Sequence, residues 1–385
     1  MRVTGLLLNG VAVTALMAAG FAAFAGPAAF SPLPGAPEAA ASPAAQPAPA
    51  PQPQFQTQTV PEAQPAVAGP GALPASPAAK ASAAKKAVAK DLFGAVKLPA
   101  NMATRSIGFY ARGCLAGGKP LPVNGPAWQV MRLSRNRNWG HPSLIKYVER
   151  FATDAKAKDG WPGLLVGDLS MPRGGPMPFG HKSHQIGLDV DIWYKPAPDH
   201  ELTAAERESM KMESFLLDPG HVNPEVWKPE YEKLLRRAVS YPEVARIFVH
   251  PAIKKWLCDN VKGDRGFLSK ISPILGHDDH FHVRLVCPGN NPGCEGQTFK
   301  AEEGCGKGLD KWIEALMKPK PGVPVTAAQA PKTYLGVLKG KVIASKDKLA
   351  ASKKKGGLTL GQLPPECEAV LKAAPAPVPA ATAAR

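Results

Sequence analysis

His181-Lys182-Ser183-His184-Gln185-Ile186-Gly187-Leu188-Asp189-Val190-Asp191-Ile192-Trp193 sets two histidines and two aspartates in a run that is otherwise mostly apolar. Leu188, Val190 and Ile192 alternate with Asp189 and Asp191, the two-residue period of a half-buried strand. In one regular strand His184 and Asp191, seven positions apart, would face opposite ways. Gly187 offers a break, so that His184 on an entering loop and Asp191 on the strand can turn to one centre. Asp189 either shares the face of Asp191 or supports the site from behind it.

A second run, His277-Asp278-Asp279-His280-Phe281-His282-Val283-Arg284, follows about ninety residues later. Read as a strand from 280 to 285, it puts His280, His282 and Arg284 on one face and Phe281, Val283 and Leu285 on the other. Same-face neighbours in a strand stand about 6.5–7 Å apart. One imidazole can then hold a metal while the other stands beside its water: His282 as ligand, His280 as acid/base, with His277 three residues away. Asp278 and Asp279 are both candidates to orient a histidine. Taken singly, each run has a bland reading. A His-x-His can be a polar strand face with satisfied histidines, and the first run a capped turn before a strand with solvated carboxylates. Together they supply two histidines and an aspartate with an open fourth position, the donor set of a catalytic zinc.

The rest of the chain reads as an α+β domain. Strands are expected at Trp128 to Leu133, Leu164 to Leu169, Leu188 to Ile192, Val244 to Val249 and Phe281 to Leu285. Helices are expected at His141 to Lys156, Thr203 to Leu217, Pro224 to Ala238, Pro251 to Asn260 and Asp310 to Met317. No βαβ rhythm links them, so a central, mainly antiparallel sheet with flanking helices is expected. Asp218-Pro219-Gly220-His221 reads as a turn between two helices. His200 and His250 read as surface or helix-cap residues, and His141 as structural.

Of 385 residues, 42 are Pro, and Pro and Ala crowd the ends. Residues 1–25 read as a signal peptide: Arg2, an apolar Leu6–Phe24, and Ala23-Phe24-Ala25 before the cut. Residues 26–92 are a Pro/Ala-rich linker too poor in apolar side chains to fold. Residues 93–320 form the domain, and 321–385 a low-complexity C-terminal segment. Disorder is expected in both flanking segments. No later stretch is long enough to cross a bilayer. A formal charge of +16 suits an anionic partner such as a cell wall. Zinc-finger spacing, a basic zipper and an aromatic-basic platform are all missing, so no nucleic-acid partner is expected.

Export makes disulfides the default for the six cysteines. The octet Cys287-Pro288-Gly289-Asn290-Asn291-Pro292-Gly293-Cys294 can close on itself. The other pairings are open at this level, since six cysteines allow fifteen arrangements.

The runs 183–191 and 277–284 resemble the penicillin-insensitive murein endopeptidases of the lysostaphin / D-Ala-D-Ala metallopeptidase superfamily, marked by His-x6-Asp and His-x-His. The similarity extends to Asn136-Arg137-Asn138-Trp139-Gly140-His141-Pro142 and Gly167-Asp168-Leu169-Ser170, and covers roughly residues 95–318 plus the Cys367 region. It implies a periplasmic zinc enzyme that hydrolyses D-alanyl-meso-diaminopimelyl cross-links of peptidoglycan and, needing no acyl-enzyme serine, ignores penicillin. It implies His184, Asp191 and His282 as principal zinc ligands, His280 as catalytic and His277 beside the site. His181, Asp218 and His221 fall on further metal-contacting positions, and hence a second or alternative metal. It also implies nested disulfides, Cys114–Cys367, Cys258–Cys305 and Cys287–Cys294. A non-catalytic wall-binding protein, and an amidase or carboxypeptidase on smaller wall fragments, are the competing readings.

Overall fold

Two strands that carry both runs lie side by side at the centre of a seven-stranded sheet. The computed structural model describes residues 86–298, 302–318 and 357–377, all within the unit Ala72–Arg385. The expected signal peptide, most of the linker and the Lys-rich stretch after residue 320 lie outside the described residues. The sheet strands are β1 (Asn124–Gly125), β2 (Trp128–Val130), β3 (Leu164–Val166), β4 (Asp189–Pro196), β5 (Val244–Val249), β6 (Ile271–Pro273) and β7 (His280–Leu285). Their order is β6-β5-β7-β4-β3-β2-β1. The pairs β6/β5 and β3/β2 are parallel and the other four antiparallel. Seven α-helices flank this framework among the described residues: α1 (Ala89–Ala95), α2 (Pro142–Asp159), α3 (Ala204–Ser209), α4 (Pro229–Val239), α5 (Pro251–Asn260), α6 (Lys307–Met317) and α7 (Glu366–Lys372). The mainly antiparallel α+β architecture is as the sequence indicated.

Alternation sorts the two central strands. Val190, Ile192, Tyr194, Phe281, Val283 and Leu285 enter the main core with Leu144, Tyr147, Val148 and Phe151 of α2. The Phe151 ring meets Phe281 edge-on, with centroids 6.4 Å apart. Each such fully buried side chain contributes about 1.5–3 kcal/mol. Helix α2 begins where the sequence indicated and runs three residues past the expected end at Lys156. His141 caps Ser143 N, Pro142 opens the first turn, and Gly160 (φ 72°) closes the last.

Several expectations are corrected. The polar face of β4 is buried too, because histidines and the 168–184 loop cover it; the strand is not half-exposed. The strand expected over 128–133 ends at Val130, since Arg132 turns left-handed and a short 3-10 turn, Leu133–Arg135, follows. The strand expected to Leu169 ends at Val166, where Gly167 N and Asp168 O turn to Asp191. The helix expected over 203–217 is only α3. Its Met210 carbonyl is taken by Arg132, and the chain extends to reach Asp278 O through Phe215 N. The segment 218–221 is therefore not an interhelical turn. It joins the strands Leu216–Asp218 and His221–Val222 of a small hairpin, with Gly220 N donating to Asp218. The helix expected from Pro224 starts at Pro229, after a turn in which Val226 and Trp227 donate to Asn223 O.

All three disulfides pair as the resemblance implied. Cys114–Cys367 bridges 253 positions of sequence. It sits in a second core where Ala89 and Phe93 of α1 meet Met171, Met177, Leu360, Leu363 and Val370. Arg173 completes the junction, donating to Leu98 O and to Val370 O and Leu371 O at the end of α7. No helix among the described residues is long and apolar enough to cross a membrane.

Candidate metal centre

The register of β4 against β7 builds the site. His282 is paired with Asp191, Arg284 with Asp189 and His280 with Trp193, so these six side chains share the face away from the core. His184 arrives from the other direction. It adopts φ 68° and Gly187 φ 72°, so the break anticipated at Gly187 is real and is doubled at His184. A Cβ on Gly187 would lie 2.9 Å from His141 N and 2.8 Å from a Leu115 methyl, so only glycine fits there. Asp189 holds the turn by accepting from His184 N at 3.0 Å.

Asp191 is the hub. Its Oδ1 lies 3.4 Å from His184 Nε2, 3.2 Å from His282 Nδ1 and 3.8 Å from His280 Nε2, and its Oδ2 lies 3.3 Å from His181 Nε2. Burial alone would raise the Asp191 pKa, but His184, His181 and His280 hold it well below the ordinary carboxylate range. Among the described residues, His181, His184 and Asp191 form the group whose potential ligand atoms all lie within 4.8 Å of one another. His282 joins them through Asp191.

The ring partners determine which nitrogen of each histidine is free. Leu169 O takes His184 Nδ1 at 2.6 Å, leaving Nε2 toward Asp191. Asp189 takes His282 Nε2 at 2.9 Å, leaving Nδ1. Asp279 takes His280 Nδ1 at 2.6 Å, leaving Nε2; of the two candidates, Asp279 and not Asp278 orients this ring. Three buried atoms, His184 Nε2, Asp191 Oδ1 and His280 Nε2, have no hydrogen-bond partner. Such orphaned groups cost about 1–3 kcal/mol each unless an ion or water occupies the gap. Two of the three, His184 Nε2 and Asp191 Oδ1, belong with His181 to the group whose ligand atoms lie together, a gap that a divalent cation would fill.

Behind the hub, Asp189 accepts from Arg284 Nε at 2.8 Å as well as from His282. Burial pushes its carboxyl up, but Arg284 and His282 outweigh that and bring it low. Asp168 plays the same part for His181, which it meets at 3.1 Å while Arg137 and Arg135 hold its carboxylate. The sequence reading assigned Asp168 no role. Its signal was a single acid two residues after the apolar run 164–166, past Gly167, where the chain leaves the sheet.

His280 and His277 have rings 4.8 Å apart and are driven in opposite directions. Burial lowers His280, but Asp191 and Asp279 push it up to about 9 in the metal-free protein. Burial, then the neighbouring His280 and His282, pulls His277 down to about 3. Both line a cavity of about 610 Å³ with His181, His282, Phe248 and Leu275. Asp218 and His221 are placed elsewhere. They pair with each other at 2.9 Å on the exposed hairpin, outside the Asp191 group. His141 and His250 cap α2 and α5, and His200 is exposed.

The sequence profile of the penicillin-insensitive murein endopeptidases matches residues 106–372. That span contains every donor just described. Proteins named penicillin-insensitive murein endopeptidase are similar over the same region. The Haemophilus influenzae protein is 43% identical over 57% of this chain and 76% of its own length. The Klebsiella pneumoniae protein is 38% identical over 58% and 81% respectively, and that of Yersinia pestis 39% over 54% and 76%. With its donor cluster, its three disulfides and more than half its length inside that match, the chain belongs to the penicillin-insensitive murein endopeptidase family.

Proposed function

We propose that the protein is a zinc-dependent endopeptidase that hydrolyses D-alanyl-meso-diaminopimelyl cross-links of peptidoglycan after export to the periplasm. The observation that carries this reading is the grouping of His181, His184 and Asp191, whose potential ligand atoms all lie within 4.8 Å of one another, with His184 Nε2 and Asp191 Oδ1 buried and without partners and His282 Nδ1 3.2 Å from Asp191. His184, Asp191 and His282 are the principal ligands, with His181 beside them. Two to three imidazoles and one carboxylate are a donor set that suits zinc, with a coordination position left for water. When bound, zinc supplies an activated water and a polarised carbonyl.

The chain's own residues do the rest. Asp189 and Leu169 O hold His282 and His184 in the tautomers that face the cation. His280, oriented by Asp279 and able to carry a proton on Nε2, takes the proton from the attacking water and delivers it to the leaving amine. His277 stays neutral beside it and lines the wall that receives the peptide. No nucleophilic side chain is required, which agrees with insensitivity to penicillin. The relatives' names give murein as their substrate, and the basic charge of this chain suits that anionic polymer.

The test is metal analysis with digestion of a purified cross-linked muropeptide dimer, on the parent and on His184→Ala. One zinc per chain and release of monomers by the parent, both lost in the variant, are expected. A metal-loaded parent that leaves the dimer intact overturns the proposal.

A further inference from the structure

Outside the donor cluster, the least ordinary backbone is the turn Leu133–Arg135. It is bracketed by Arg132 at φ 56° and Asn136 at φ 53°. Among the described residues, the only other non-glycine residue with positive φ is His184. Such conformations persist only where neighbours over-determine them, and they gather at functional sites. This turn is held from every side. Arg132 donates to Arg207 O and Met210 O, and Ser134 donates to Glu208 through its backbone N–H and its hydroxyl. Asn136 donates to Lys97 O and accepts from the Trp139 indole.

The held turn presents Arg135 to the metal centre. Arg135 Nη1 lies 3.1 Å from Asp168 Oδ2, the same oxygen that His181 Nε2 reaches at 3.1 Å. One carboxylate oxygen therefore separates this guanidinium from the donor cluster. Its neighbour Arg137 is committed elsewhere: its side chain is 3% exposed, one nitrogen on Asp168 and another on Phe179 O. The Arg135 side chain is 35% exposed, and its remaining N–H groups have no acceptor among the described residues. Phe179, itself 45% exposed, lies 4.2 Å from the Arg137 guanidinium and 5.8 Å from that of Arg135. A partly desolvated, planar fork with donors to spare, beside an exposed ring, is suited to a carboxylate.

We infer that Arg135 binds a free substrate carboxylate carried on the same carbon as the scissile nitrogen, and so selects acidic over amidated cross-links. This rests on the function proposed above. In a diaminopimelyl cross-link, the carbon bearing the acylated amine also bears a carboxylate, so the anion is within a few bonds of the reacting carbonyl. Arg135 and His181 share the same Asp168 oxygen, which keeps the guanidinium close to the donor cluster. The 610 Å³ cavity has neither Arg135 nor Phe179 in its walls, so it is left for the other arm of the substrate.

The experiment measures hydrolysis of two soluble cross-linked dimers that differ only at that group, carboxylate in one and carboxamide in the other. Parent, Arg135→Ala and Arg135→Lys are compared, with zinc content determined for each. The parent should prefer the acid by roughly ten- to hundredfold in kcat/KM, the range of a charge-assisted hydrogen bond, mostly through KM. Arg135→Ala should lose that preference with its zinc intact, and Arg135→Lys should recover part of it. Equal losses on both dimers, loss of zinc, or a parent indifferent to amidation overturns the inference and leaves the endopeptidase reading standing. A zinc-loaded parent that cleaves neither dimer sinks both.

Discussion

His282 Nδ1 lies 3.2 Å from Asp191 Oδ1, across the antiparallel pair in which those two residues are direct partners. Residues directly opposite in a sheet bring their Cβ atoms to about 4.5–5.5 Å. One potential donor from each run is thereby brought to the same place without any loop having to be ordered, and the stiffness of the central sheet sets the separation.

Asp189 supports three groups at once, which makes its charge testable. Asp189→Asn keeps the volume but leaves the buried Arg284 guanidinium without its anion and His282 with a weaker acceptor. Breaking a buried ion pair costs about 3–5 kcal/mol. Loss of such a supporting partner lowers metal affinity roughly 10–100-fold. Urea unfolding and competition with a zinc chelator measure the two effects. An unchanged midpoint and unchanged affinity would show that Asp189 is a bystander.

Gly187→Ala should damage the site from a distance. The new methyl meets His141 N at 2.9 Å and Leu115 at 2.8 Å, at φ 72°. The left-handed conformation alone costs about 1–2 kcal/mol for a residue with a Cβ. The turn that aims His184 must shift, so zinc affinity should fall together with melting temperature. If melting falls while zinc affinity holds, Gly187 serves packing alone.

The disulfides should be unequal. Cys114–Cys367 spans 253 positions and Cys287–Cys294 only 7. On loop-closure entropy, Cys114→Ser/Cys367→Ser should cost about 5 kcal/mol, and Cys287→Ser/Cys294→Ser about half that. Denaturant melts of the two double variants settle the order, and equal losses would mean that unfolded-state entropy is not the main term.

Stability should rise in alkali through Lys254. Burial lowers this amine from 10.5 to about 8, despite its donation to Leu268 O and Glu303 O. The folded chain therefore binds this proton less well than the unfolded chain. The penalty is full below about pH 8, shrinks as pH rises, and is gone above 10.5. The change amounts to about 3 kcal/mol at most, since each pKa unit is worth 1.36 kcal/mol. Lys254→Met should flatten that rise between pH 8 and 10.5. A Lys254→Met variant whose stability changes across that window just as the parent's does contradicts the assignment.

Much of this centre could be read directly from the chain because its rules are local. A period of two puts His280, His282 and Arg284 on one face wherever the strand lies, and a glycine between His184 and Asp191 marks where the backbone can turn. The octet between Cys287 and Cys294 closes through its own turn residues. Helix ends at Pro142, Gly160 and Pro251 follow from the backbone chemistry of those residues, whatever surrounds them. The aborted helix after Ser209 was not legible, because contacts to Arg132 and Asp278, distant in sequence, override its propensity.

Only the tertiary structure decided which groups stand behind the donors. It chose Asp279 over Asp278, brought Asp168 and the Leu169 carbonyl to the histidines, and left Asp218 and His221 paired on a separate hairpin. The physical reason is reach. A repeat along one strand determines which way a side chain faces, but contact distances of about 3 Å between segments depend on how the strands are paired and how the loops pack over them.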